Sequence, residues 1–308
     1  MTRPPMENSP IFSTTLLIVL LFAGGVYALA VLEYWSVAGR LAWARPVQLA
    51  LKLLAREEIK PRQRDAVFYE TAPVLLLAAG TLAAAVLPWS VNAPLLSLAT
   101  GALFVNAAFA YTMVALVLGG WSSNGTYAMI GGWRFLGQLL AYSMPMVMAL
   151  TATVMRAESM VPVQIVLSQR SLWNILYQPV GFGLFYLAAL ALTFLPPFDL
   201  PVAAGELAGG AWADFTGARR LVLRLGRLSL VMNLAVTITV FYLGGWQGPW
   251  LPGVAWTLLK TLLVAASFFG VGRYVSRVRY DLLLEWSWKY ATPAALFNIL
   301  WVGILLLL

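Results

Sequence analysis

Apolar residues come in continuous runs along this chain, and polar residues fill the short intervals between them. The runs cover about residues 11–32, 71–89, 98–118, 133–155, 176–196, 226–243, 253–272 and 291–308. Each is close to the ~20 residues a helix needs to cross a hydrocarbon core of about 30 Å. None alternates apolar and polar positions as a strand of a transmembrane barrel does. A helix satisfies its own backbone in lipid, so the pattern predicts an all-α polytopic membrane protein with about eight transmembrane helices. A further helix is predicted over 44–58. There Val47, Leu51, Leu54 and Ala55 fall on one face, and Gln48, Lys52 and Arg56 on another. Pro46 suits its first turn. This is an amphipathic helix of the kind that lies in the membrane interface with its basic tips outward. Residues 1–10 are polar, carry Pro4, Pro5 and Pro10, and read as irregular. No polar stretch is long enough to fold by itself, so residues 1–308 read as a single membrane domain.

Composition narrows the chemistry. Only 10% of the residues are charged and 61% are hydrophobic, against about a quarter charged in soluble domains. There is no Cys and no His. Disulfides, thiolate-held clusters and imidazole-held metals or haem are therefore excluded on this chain. Proton handling falls to Asp, Glu, Lys, Arg, Tyr or water. The net charge of +8 invites a nucleic-acid partner, but its placement opposes one. Loop 1 (33–70) holds seven Lys/Arg, loop 5 (197–225) four when Arg227 is included, and loop 7 (273–290) four. Loops 2 and 6 hold none, and loop 4 only Arg156 and Arg170. The positive-inside rule then makes the odd loops cytoplasmic and both termini external. A cleaved signal peptide, for which Ala28-Leu29-Ala30 offers a site, is disfavoured. The first apolar run is longer than a usual signal core, and Arg3 is offset by Glu7.

The densest candidate chemistry follows the fifth run. Pro197-Phe198-Asp199-Leu200-Pro201 leads to Glu206, Asp214 and the basic group Arg219, Arg220, Arg224 and Arg227. If the segment is helical, the seven-residue spacing of Asp199 and Glu206 is almost two turns and sets both on one face. Acids this close to hydrocarbon mark an ion path or a buried partner. The plainer reading is that Asp199 caps a helix and Glu206 is solvated or ion-paired. Lys260, inside the seventh run, is a second intramembrane charge.

Four motifs occur in order. They are Trp121-Ser122-Ser123-Asn124 with Tyr127 and Arg134; Pro197-Phe198-Asp199-Leu200-Pro201 with Glu206-Leu207; Gly244-Gly245-Trp246-Gln247-Gly248-Pro249 with Trp256 and Lys260; and Arg277-Val278-Arg279-Tyr280-Asp281 with Trp288-Lys289 and Pro293. Together, across residues 121–298, they resemble the H subunit of bacterial NADH:quinone oxidoreductase, respiratory complex I. Its mitochondrial counterpart is the first ND subunit. Glu33 closing the first run, and Pro46, Lys52 and Glu57 after it, agree with that resemblance. The resemblance implies eight spans in the bacterial cytoplasmic (inner) membrane. It implies peripheral-arm and antiporter-like partner subunits, with lipid and quinone as further contacts. No cofactor is expected on this chain; flavin and iron–sulfur clusters belong to partners, and quinone is the substrate of the complex. It further implies a quinone region at Glu33, Arg45, Lys52, Arg134 and Arg279, and a proton-coupling network at Asp199, Glu206, Asp214 and Arg227.

The chain also departs from the family pattern. The stretch from Arg40 to Pro46 is too short to hold the Arg-Gly-Pro-Asn-Arg-type segment that borders the family's quinone entrance. The family's Gln-Pro reads Arg45-Pro46, and the Asp three residues before the helix Lys reads Leu49. The acid after Ser-Tyr reads Ser143, following Tyr142. Two Glu after the Phe-Asp-Leu-Pro run read Val202 and Ala204, and a Glu early in the sixth span reads Arg227. These changes imply an altered or partly closed quinone tunnel. They also imply a fixed charge at Arg227 that serves as counter-charge to Asp199 and Glu206. They keep open an equivalent membrane subunit of an energy-converting hydrogenase-like complex. A stand-alone ion transporter is permitted by Lys260 and the loop 5 acids, but no internal repeat supports it.

Overall fold

The computed structural model describes residues 11–90 and 96–307, with side chains from Thr15 onward. The irregular segment expected at 1–10, residues 91–95 between the second and third spans, and Leu308 lie outside the described residues. The helices in chain order are α1 (Ile11–Ala38), α2 (Arg45–Leu54), α3 (Ala66–Val86), α4 (Gly101–Ser122), α5 (Thr126–Ala157), α6 (Pro162–Ser168), α7 (Asn174–Tyr177), α8 (Pro179–Leu192) and α9 (Ala204–Leu207). A 3-10 turn, Gly210–Trp212, leads to α10 (Gly217–Tyr242), α11 (Gly253–Tyr274) and α12 (Tyr280–Trp286). A π turn, Ser287–Ala291, joins α12 to α13 (Thr292–Leu307).

Among the described residues, seven helices are long and apolar enough to cross a membrane, with α12 to α13 counted as one. The run expected to span at 176–196 is the exception. It folds as α8, which has 14 residues, about 21 Å of helix. Pro179 opens it and lacks the N–H that would continue α7, and Gln178 before it is non-helical at φ −137°. Phe194, with φ +56°, turns the chain at the other end.

Helix ends reach further into the polar intervals than hydropathy alone predicts. α10 starts at Gly217, so Arg219, Arg220, Arg224 and Arg227 stand on its first turns and not in a loop. Arg134 lies within α5, and Tyr280 to Trp286 of the expected loop 7 is helical. The amphipathic helix is shorter than expected: it ends at Leu54, with Pro46 in its first turn and Lys52 in its last. The segment after Asp199 is not one helix. α9 starts only at Ala204, with Ala203 and no capping side chain before it, so the helix-cap reading of Asp199 does not hold.

α10 is the core of the fold. Every residue from Leu228 to Tyr242 is buried, as expected for a helix apolar on all sides. It packs against α3, α11 and α1. Its approach to α3 is close: a Cβ at Gly80 would stand 2.9 Å from the Ser229 Cβ, so only glycine fits. The Asn233 amide donates to the Gly80 carbonyl at this crossing. Pro145 inside α5 strips the Ala141 carbonyl of its helical donor. The Ser287 hydroxyl, in the π turn, donates to that carbonyl and ties the last span to α5.

Candidate functional site

The long α1 and α10 carry the first cluster. Glu33 near the end of α1 meets Arg224 and Arg227, which lie three apart on one face of α10. Arg224 Nη2 is 2.7 Å from Glu33 Oε2, and Arg227 pairs with Oε1. The Arg227 guanidinium also lies over the Trp212 ring, 5.7 Å from its centroid, and Arg220 donates to the Trp212 carbonyl at 3.0 Å. The 3-10 turn thus braces the arginines from behind. These residues, with Lys52 and Arg56, line a cavity of about 520 Å³. Its walls carry one acid, Glu33, against Lys52, Arg56, Arg220, Arg224 and Arg227. Two like-charged guanidiniums share one carboxylate, so the cavity is electropositive.

A second, almost wholly apolar cavity of about 400 Å³ lies between α1, α2 and α10. Phe22, Val26, Val47 and Leu228 are among its walls, and it shares Leu49 and Arg224 with the charged cavity. No residue of α2 is buried within this chain. Its apolar face roofs the space between α1 and α10 and does not enter the core.

The third cavity, about 330 Å³, is polar and lined by Arg134, Glu206, Arg277, Arg279, Tyr280 and Asp281. Asp199 pairs with Arg277 at 2.6 Å, and Glu206 with Arg134 at 2.6 Å. Asp199 is buried, and its Oδ1 accepts no hydrogen bond from the described residues. Burial pushes its carboxyl above the ordinary carboxylate value, against the opposing pull of Arg277. Glu206 moves the other way: the hydrogen bond from Arg134 holds its carboxyl below the usual value, and Arg277 adds to this. The two acids are therefore shifted in opposite directions while sharing one basic neighbour, Arg277.

The residues singled out in the sequence divide between these places. Glu33, Lys52 and Arg227 come together in the charged cavity; Arg45 does not line it, but its guanidinium lies 5.8 Å from the ring of Tyr34, which does. Arg134 and Arg279 line the polar cavity instead, and Arg279 is occupied by Asp281 at 2.7 Å. Arg227 does not serve as counter-charge to Asp199 or Glu206; Glu33 takes it. Asp214 is apart from both acids: its carboxylate packs against Gly125, and Tyr69 donates to its carbonyl at 2.8 Å. Trp212 is the member the sequence reading missed, while Arg224 and Arg277 stand in the basic group and the fourth motif but receive no place in the site there. Arg277 stands two residues from Arg279 in the same motif, and only the fold decides which of the two faces Asp199.

Comparison with known proteins identifies the family to which the chain belongs. The NADH dehydrogenase family model matches residues 34–303. The H subunit 1 of the NADH-quinone oxidoreductase of Geobacter metallireducens is 36% identical over 279 residues, covering 88% of this chain and 85% of the relative. The corresponding H subunit of Geobacillus kaustophilus is 35% identical over 268 residues, covering 86% and 80%. The H subunit 2 of the Rhodopseudomonas palustris enzyme is 35% identical over 271 residues, covering 86% and 82%. With four ordered motifs, an all-helical membrane fold and a match over most of its length, the chain belongs to the family of NADH-quinone oxidoreductase H subunits.

Proposed function

We propose that this chain is the membrane subunit of a complex I-type NADH:quinone oxidoreductase, joining the peripheral arm to the membrane arm. It borders the quinone site and takes part in coupling electron transfer to proton movement. The observation that carries this reading is the pair of adjoining cavities. An apolar space framed by α1, α2 and α10 opens on an electropositive one at Glu33, Arg224 and Arg227. A quinone has that same division, an apolar tail and a head that gains negative charge as it takes up electrons. Guanidiniums fixed beside the head stabilise that charge without reorganising. The electrons come from flavin and iron–sulfur clusters in partner subunits; with no Cys and no His, this chain offers neither thiolate nor imidazole to a cluster.

The tunnel mouth differs from the family pattern. Only residues 39–44 join α1 to α2, so α2 itself forms the rim where a longer loop stands in the family. The subunit sits in the bacterial inner membrane with eight crossings, α8 among them. Its basic odd loops are cytoplasmic and meet soluble subunits, and both termini are external. The remaining spans face antiporter-like subunits and lipid.

Leu49→Trp tests the reading, because Leu49 lines both cavities. In the assembled complex it is expected to lower NADH:quinone reduction several-fold while leaving NADH oxidation by ferricyanide unchanged. Equal rates of quinone reduction in variant and wild type would refute this path.

A further inference from the structure

At the far end of α10 from Glu33, about 24 Å away along the helix, a lysine is buried with no acid among the described residues paired to it. Lys260 stands in the second turn of α11 and is 6% exposed. Its ammonium donates to three carbonyls: Leu243 at 2.7 Å, Gly245 at 3.1 Å and Gln247 at 2.7 Å. The Trp173 and Trp256 rings complete the enclosure, with centroids 4.3 and 5.6 Å from Nζ. An ammonium has three donors, and here all three are used.

The enclosure is built from separate parts of the chain. Gly244 and Gly245 take φ of +71° and +50° and turn the backbone around the ammonium. Trp173 comes from the segment before α7, and Trp256 from α11. Gly244 N–H donates to Gln169 Oε1 at 3.0 Å, and the Gln247 amide donates to the Val166 carbonyl. The turn is thus fastened to α6 and its C-terminal flank. Without any of this, an unpaired ammonium among apolar helices is costly.

Carbonyl oxygens and aromatic faces are what replace the hydration shell of a monovalent cation. They accept and cannot carry a proton onward, so this enclosure recognises charge and does not relay it. We propose that residues 243–247, with Trp173 and Trp256, form a monovalent-cation site of the ammonium class. The chain fills that site with its own Lys260, and the cation holds the turn against α6 and α7. Lys260 is therefore a positioning residue for the 243–247 turn.

The test uses the assembled complex and hydrogen exchange of the amides at 243–248. Lys260→Met keeps the unbranched stem of the side chain and removes the terminal ammonium with its charge; exchange is expected to rise about tenfold or more, the scale of hydrogen bonds to a charged group. Lys260→Ala removes three methylenes and the ammonium, which n-propylammonium replaces. Added n-propylammonium is expected to restore protection in Lys260→Ala, and n-propanol is not. Wild-type protection in Lys260→Met, equal rescue by n-propanol, or no rescue by n-propylammonium would each overturn the proposal. Where Lys260→Ala fails to assemble, n-propylammonium is supplied during growth and the yield of complex is read; no recovery counts against the proposal in the same way.

Discussion

Arg227 on α10 pairs with Glu33 on α1, and Arg224 one turn before it takes the other carboxylate oxygen. Both oxygens of Glu33 are engaged, and the cluster keeps one unit of positive charge. The Glu33 side chain is 16% exposed and that of Arg227 14%, so solvent screens the pair little. Removing one partner of a buried pair costs about 3–5 kcal/mol, because the other is stranded. Glu33→Leu is therefore expected to reduce assembly and lower the melting temperature of the complex. Glu33→Leu with Arg227→Met is expected to recover part of that loss. Strictly additive effects in the thermal shift of the double variant would show that the pair is not coupled.

Asp199 and Glu206 invite a different test, because their carboxyl pKa values are shifted in opposite directions around Arg277. A carboxylate that relays protons needs its proton affinity raised, and burial raises that of Asp199. Asp199→Asn keeps a hydrogen-bonding side chain for Arg277, and Glu206→Gln keeps one for Arg134. Both complexes are expected to assemble, with proton-coupled turnover lowered several-fold in Asp199→Asn and less in Glu206→Gln. Unchanged proton-to-electron ratios in both variants would leave these acids with structural roles only.

The pH dependence of the two acids runs in opposite senses. Glu206 has a folded pKa below its ordinary value, so its contribution to stability is present above that ordinary value. It is lost as pH falls through the lowered folded value. Asp199 has a raised pKa. Its ionisation costs stability, a cost absent below the ordinary value and complete once pH exceeds the raised one. Glu206→Gln is expected to flatten the acid limb of the stability curve, and Asp199→Asn to relieve destabilisation above it. Thermal melts of the complex across the carboxylate range check both; a shared direction of change would contradict the assignment. Glu206 is exposed, so screening keeps its effect small.

Apolar runs made the spans legible because hydropathy over about 20 residues is a strong signal. Their ends were not legible. Arg219 to Arg227 interrupt the apolar run, yet α10 continues through them because Glu58, Glu70 and Glu33 supply counter-charges from other elements. The pairing itself was hidden by distance along the chain: Glu33 and Arg224 are 191 residues apart. Asp199 and Glu206 were found through their place after a span. Their partners, Arg277 and Arg134, come from the α11–α12 link and from α5, whose facing sides no local pattern reports.

Topology gives a prediction independent of any site. Reporter fusions at 33–70, 197–225 and 273–290 are expected to report the cytoplasm, and fusions at both termini the outside. α8 is the crossing on which the parity depends, since it is only 14 residues long. A cytoplasmic C-terminus together with an external N-terminus would mean that α8 does not cross.

Val202 offers the sharpest test of the charged cavity. It lines the same cavity as Glu33 and Trp212, at a position where the family pattern has an acid. Around it stand five basic side chains and one carboxylate. A carboxylate placed there enters a positive field and finds partners; an ammonium placed there adds a sixth like charge, a juxtaposition costing several kcal/mol. Val202→Glu is expected to assemble as well as Val202→Gln, its uncharged match in size, and to raise the proton-to-electron ratio by adding a titratable group between Glu33 and Asp199. Val202→Lys is expected to lower the yield of assembled complex about tenfold or more. Native electrophoresis gives the yield and acidification per NADH oxidised gives the ratio. If Glu and Lys at this position behave alike, steric fit and not charge governs the cavity, and the electropositive reading of the Glu33 site fails.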